Sequence, residues 1–186
     1  MKLIFALGNP GDQYTRTRHN VGFQILDRLA NEHGAAWTTD TKFKSMTAKI
    51  IVGNQKLLLA KPTTYYNEAG DAFHRLQSYY GVVPTDILII HDELAIPFGT
   101  VRTRIGGSDG GNKGIRSLLA HSEADSAMRI RIGIANELSE KIDASDFVLS
   151  KFTKGETETL DAIYAYSIDA VHAFTNDALE PTTYQV

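Results

Sequence analysis

At 186 residues, with 42% hydrophobic and 22% charged side chains and a formal net charge of −3, the chain can bury one sizeable core but is too acidic to coat nucleic acid with its whole surface. The absence of cysteine excludes a disulfide framework, thiolate metal ligands and a cysteine nucleophile, and it suits a reducing cytoplasm. No apolar run approaches the roughly 20 residues that span a bilayer, and the first residues lack the pattern of a secretory signal.

Lys2 to Leu7 reads as an apolar strand that runs into the turn Gly8-Asn9-Pro10-Gly11. His19-Asn20 then opens a helix to His33, in which Val21, Ile25, Leu26 and Leu29 recur at helical spacing and Gly34 supplies the stop. Ser45 to Val52 and Gln55 to Ala60 are β-rich runs separated by Gly53-Asn54, a two-residue hairpin signal. After the break at Lys61 to Thr64, Asn67 is placed to N-cap a helix through Phe73, Leu76 and Tyr80 that ends at Gly81.

Pro84-Thr85-Asp86 resets the chain, and Ile87 to Ile90 is wholly apolar, as in a central strand covered on both faces; it ends on His91-Asp92. Thr100 to Ile105 alternates cationic and apolar residues like a half-exposed strand, followed by the glycine-rich loop Gly106 to Gly111. A helix is expected from about Lys113 to His121, a strand from Met128 to Ala135, and a last helix from Lys154 to Phe174. Leu160, Ile163, Tyr164, Ile168 and Val171 share one face of that helix. With no internal repeat or linker, residues 1–186 read as a single α/β domain, a twisted sheet flanked by helices, which the hairpin makes mixed.

Charge is unevenly spread. Thr100 to Gly133 carries six cations against three anions, whereas Asn136 to the C-terminus carries three lysines against ten carboxylates. A basic patch on an acidic body suits a protein that grips one phosphate-rich feature of a partner, while solvated, scattered charge is the plainer alternative.

Among the six histidines, His19 stands at a strand-loop-helix junction among polar residues, where an imidazole can take and return a proton near neutral pH; a capping or surface role is also open to it. Asp92, just past an apolar strand, can orient that ring or cap backbone amides. Neither glycine cluster fits a dinucleotide fingerprint or a P-loop. The second cluster precedes a helix start with Lys113 and Arg116, so it serves either as a turn or as a phosphate seat. No nucleophile elbow or metal-ligand spacing is present, so a hydrolytic site would use an activated water.

Five blocks carry a family likeness, in chain order: LGNPGDQYTRTRHNVGF, KPTTYYNEAG, HDELAIPFGTVRTRIGG with GGNKGIRSL, RIRIGIAN and FVLSKF. From Leu7 to about Phe152 the chain resembles bacterial peptidyl-tRNA hydrolase, the enzyme that cleaves the ester joining a peptide to tRNA after aborted translation. The resemblance implies a monomeric, metal-free, cytoplasmic carboxylic ester hydrolase with a mixed sheet, whose partner is peptidyl-tRNA, held at its acceptor end and 5′ phosphate. It implies His19 as base, Asp92 as its orienting carboxylate, and Asn9 and Asn67 as amides that place water, ester and oxyanion. It also implies Tyr14 near the tRNA end and Arg104 and Arg131 at the 5′ phosphate, with Arg102 and Arg116 on the same basic surface.

Two departures stand out. The pattern GGHNG is here Gly110-Gly111-Asn112-Lys113-Gly114, so the usual histidine is Asn112 and the usual asparagine is Lys113, an ammonium that only donates and that can meet a phosphate or a developing anion. The usual methionine before Asn67 is Tyr66, a stiff ring with a hydroxyl, expected to alter peptide-side contacts more than chemistry. The Lys113 exchange keeps alive a weakened or inactive homologue acting as an RNA or protein adaptor; a small-molecule phosphate or nucleotide binder is the other alternative.

Overall fold

The computed structural model describes residues 1–186. Eight strands, β1 (Lys2–Ala6), β2 (Thr38–Asp40), β3 (Ser45–Val52), β4 (Gln55–Pro62), β5 (Ile87–Pro97), β6 (Thr100–Ile105), β7 (Met128–Ala135) and β8 (Thr183–Gln185), form one sheet ordered β2-β3-β4-β1-β5-β7-β6-β8. The four central strands are parallel, and each edge is completed by antiparallel pairing. Five helices accompany them: α1 (Val21–Glu32), α2 (Ala69–Tyr80), α3 (Lys113–His121), α4 (Ala144–Leu149) and α5 (Lys154–Thr175).

The period-2 geometry of the strands divides the core in two. Ile4, Ala6, Leu57, Leu59, Leu88, Ile90, Ile130 and Ile132 face α1 and α5 and pack with Ile25, Leu29, Ile163 and Val171. Leu3, Phe5, Leu58, Ile87 and Ile89 point the other way, onto Phe73 and Leu76 of α2 and Ile115 and Leu118 of α3. This double covering is why the central strands read as continuous apolar runs.

Several boundaries differ from expectation. β5 continues beyond Ile90 because β7 goes on pairing with His91, Asp92 and Glu93, so Asp92 lies inside the strand. Asn67 does not cap α2: it sits in a 3-10 turn, Tyr66–Glu68, and the helix starts without a side-chain cap. β2 and β8 are three-residue edge strands, and α4 spans six residues, all too short for a period to register. Gly81, at φ 61, does end α2 in the left-handed region that favours glycine.

A buried ion pair ties the N-terminal loop to the far end of the chain. Arg18 is fully buried, and its guanidinium forks onto Glu156 at 2.9 and 2.7 Å, donates to Ser150 and lies over the Phe147 and Phe152 rings. Glu156 also closes a capping box with Thr153 at the start of α5 and accepts from Asn136. One residue before His19, the chain is thereby anchored to the α4–α5 junction.

Candidate active site

β1 pairs with β5 only as far as Ala6 and Ile90, so β5 outruns its neighbour while β1 peels away into the Asn9-Pro10 turn. That divergence opens a crevice at the carboxyl ends of parallel strands, the usual ligand position in open α/β sheets. The cleft has a volume of about 680 Å³; Asn9, His19, Asn67, Asp92, Glu93 and Lys113 are among its polar lining, and Val148 and Leu149 of α4 belong to its apolar wall.

The turn is locked before any ligand arrives. Asn9 N–H donates to Asn20 Oδ1 and Asn20 Nδ2 donates back to the Asn9 carbonyl, both at 2.9 Å. Asn9 Oδ1 accepts from the Tyr66 amide at 2.8 Å, which leaves the Asn9 Nδ2 group without a protein partner at the cleft. Two sequence-distant segments are thus held together by one amide side chain.

His19 Nδ1 lies 2.9 Å from Asp92 Oδ2. Because a carboxylate only accepts, this contact puts the hydrogen on Nδ1 and leaves the Nε2 lone pair to the cleft. The other oxygen, Asp92 Oδ1, accepts from the Tyr66 hydroxyl at 2.6 Å, and Asn112 Nδ2 donates to that hydroxyl at 3.0 Å. Burial first, and then the Asp92 charge, push the Tyr66 phenol well above its ordinary value, so it stays a donor. The adjacent His91 takes no part in the cleft: it is buried against the Asp92 carbonyl at 2.7 Å, and burial draws it below its ordinary value.

The family model for peptidyl-tRNA hydrolase matches residues 3–186. The chain belongs to the peptidyl-tRNA hydrolase family. It is 42% identical over 156 residues to the peptidyl-tRNA hydrolase of Listeria monocytogenes serovar 1/2a, covering 84% of this chain and 82% of that one. It is 44% identical over 161 residues to that of Lactiplantibacillus plantarum, covering 87% and 85%. The crystal structure of peptidyl-tRNA hydrolase from Acinetobacter baumannii superposes with a TM-score of 0.89 at 32% identity, over 96% of this chain and 92% of that one.

In this member of the peptidyl-tRNA hydrolase family, Asn67 is exposed on the cleft wall with no side-chain partner, and Lys113 is exposed at the first position of α3 on the same rim. Tyr14 lies in a 3-10 turn, half-buried and outside the residues lining the cleft. Tyr66 lines the cleft but is only 2% exposed: its hydroxyl bonds to Asp92 and its ring stacks on His19, contacts that its place before Asn67 did not suggest. Asn112 was also unassigned by sequence reasoning. Its Oδ1 caps α3 through the Ile115 amide while its Nδ2 serves Tyr66 and the Asp92 carbonyl, and only its place before the helix hinted at the first role.

The register of β6 and β7 puts Arg102 opposite Arg131 and Arg104 opposite Arg129, on one sheet face beyond α3. Arg102 is exposed and Arg104 half-exposed; Arg131 pairs at 3.0 Å with Glu93, which also lines the cleft and so joins patch to site. Arg129, not singled out from sequence, is buried and donates to the Gly107 and Ser108 carbonyls. Burial, then the charges of Arg104 and Arg131, lower it to about 10, so it is still cationic at neutral pH. Arg116 belongs to α3, where Asp109 holds its exposed guanidinium. No three His, Cys, Asp or Glu side chains converge as metal ligands.

Proposed function

We propose that the chain hydrolyses the ester between peptide and tRNA in peptidyl-tRNA, releasing tRNA stalled by aborted translation. The observation that carries this reading is the 2.9 Å contact of His19 with Asp92, which leaves Nε2 free at a cleft lined by the unpartnered Asn9 Nδ2 group and Asn67 amide. Nε2 takes a proton from water as the water oxygen attacks the ester carbonyl, and Asp92 stabilises the imidazolium that forms. Asn9 Nδ2 and the Asn67 amide donate to water and oxyanion; one such donor is typically worth about 3 kcal/mol. Collapse breaks the bond to the ribose oxygen, which receives the proton back from His19. Lys113, an exposed ammonium on the rim, suits a substrate whose transition state is anionic. An adaptor would have no use for a poised imidazole beside these amides.

The reading further assigns Arg102, Arg104, Arg131 and Arg116 to tRNA phosphates, recognised by charge and shape and not by base sequence. It places Tyr14 toward the tRNA end and treats the enzyme as a cytoplasmic monomer. Converting Arg104 and Arg131 to alanine together is expected to weaken tRNA binding at low salt and to flatten the slope of log affinity against log salt by roughly one to two units. An unchanged slope removes the patch from the interface. The activity itself is tested with an N-blocked aminoacyl-tRNA beside its unblocked counterpart. The blocked ester is expected to be cleaved and the free one spared, since a free α-ammonium adds a cation to a cleft that already holds Lys113. Binding of both without cleavage of either would establish an adaptor instead.

A further inference from the structure

Two positions at which the chain leaves the family pattern, Tyr66 and Asn112, touch each other and the His19–Asp92 pair. The Asn112 flip is set by its cap, because Oδ1 accepts from the Ile115 amide at 3.0 Å and leaves Nδ2 to donate. The Tyr66 oxygen therefore accepts from Asn112 and spends its hydrogen on Asp92 Oδ1, at 3.0 and 2.6 Å. Its ring lies parallel to the imidazole of His19, with 3.5 Å between centroids and 10° between planes. Gly114 leaves room for that ring: a Cβ there would come within 2.3 Å of it.

We propose that Tyr66 is a positioning residue for hydrolysis, acting through Asp92 by its hydroxyl and through His19 by its ring face. The hydroxyl fixes one carboxylate oxygen so that the other stays aimed at His19 Nδ1–H, and it shares carboxylate charge that would otherwise fall in full on that contact. The ring fixes the plane from which Nε2 meets water and offers its π face to the imidazolium once the proton has moved. The other charged or titratable groups around the pair are Glu93, bound to Arg131, exposed Lys113, and His91, buried behind Asp92. None of these contacts the phenol hydroxyl, whose partners are Asp92 and Asn112.

The inference rests on His19 as base, so the test includes a readout that needs no turnover. Tyr66→Phe keeps the stack and removes the hydroxyl; Tyr66→Met removes both. Each is assayed on N-blocked aminoacyl-tRNA across pH, and the His19 ring is followed by NMR titration. Tyr66→Phe is expected to lower kcat about tenfold with KM within about twofold of the parent, since one charge-assisted hydrogen bond is lost. The ascending limb of kcat/KM and the His19 titration are both expected to move to higher pH, and Tyr66→Met is expected to lose more kcat than Tyr66→Phe. A raised KM with unchanged kcat would make Tyr66 a peptide wall and overturn the proposal. A lower kcat with limb and titration unmoved would reduce it to a structural role and overturn it equally. Should the parent fail to cleave the ester, the hydrolase reading falls, yet an unmoved His19 titration in Tyr66→Phe still decides against Tyr66.

Discussion

Replacing His19 with alanine lowers kcat on N-blocked aminoacyl-tRNA by about a thousandfold, in the middle of the range for losing a general base. KM changes little, because the arginine face and the Asn9 and Asn67 amides that would hold substrate are untouched. Folding is preserved: the ring is partly exposed and bonds only to Asp92, while the turn around it is held by Asn9, Asn20 and the buried Arg18. Residual hydrolysis above the uncatalysed rate is expected from the oxyanion donors. Single-turnover kinetics with saturating enzyme check the size of the effect, and activity near that of the parent would remove His19 from the mechanism.

The second large effect is on stability. Arg18→Met keeps much of the aliphatic packing against Phe147 and Phe152 but leaves Glu156 with its charge and without its guanidinium. Breaking one side of a buried pair costs about 3 to 5 kcal/mol, and the lower end applies here because Glu156 is partly exposed and keeps its bonds from Asn136 and the Thr153 amide. For a chain of this size that corresponds to a fall in Tm of about 10 °C. Coupling Arg18→Met with Glu156→Leu should recover part of the loss, since a buried pair replaced by apolar groups is often close to neutral. The pair also carries an acid signature. Burial opposes the Glu156 charge, but the bonds from Arg18, the Thr153 amide and Asn136 outweigh it and hold the carboxyl below its ordinary value. Its contribution is therefore complete above the ordinary glutamate range and is lost as pH falls through the lowered folded value. Denaturant titration at neutral and acidic pH measures both the loss and its pH dependence. A single variant as stable as the parent would show the pair to be incidental.

Elements with a strong local signal were legible in the chain. Gly53-Asn54 between two β-rich runs specified the β3–β4 hairpin, and the apolar periods of α1, α3 and α5 located those helices to within a residue or two at their ends. Elements whose reason for existing is a neighbour were not. β8 is Thr-Tyr-Gln and forms a strand only because β6 offers an unpaired edge, and Asp92 stays within β5 only because β7 extends beside it. The site divides the same way. The NPG turn and the strand-loop-helix junction drew attention to Asn9 and His19, but nothing local announces that a hydroxyl at 66, a carboxylate at 92 and an amide at 112 meet in one network. Nothing local marks Arg18 as a buried residue, because its partner lies 138 residues downstream.

That a neutral imidazole held by Asp92 takes the proton from water can be read in one combined experiment. Single-turnover cleavage of N-blocked aminoacyl-tRNA is followed from acidic to neutral pH while NMR records the ionisation of the His19 ring in the same enzyme. The rate should rise in proportion to the fraction of neutral His19. A rate that is flat across that ionisation, or that follows a different group, would contradict the account.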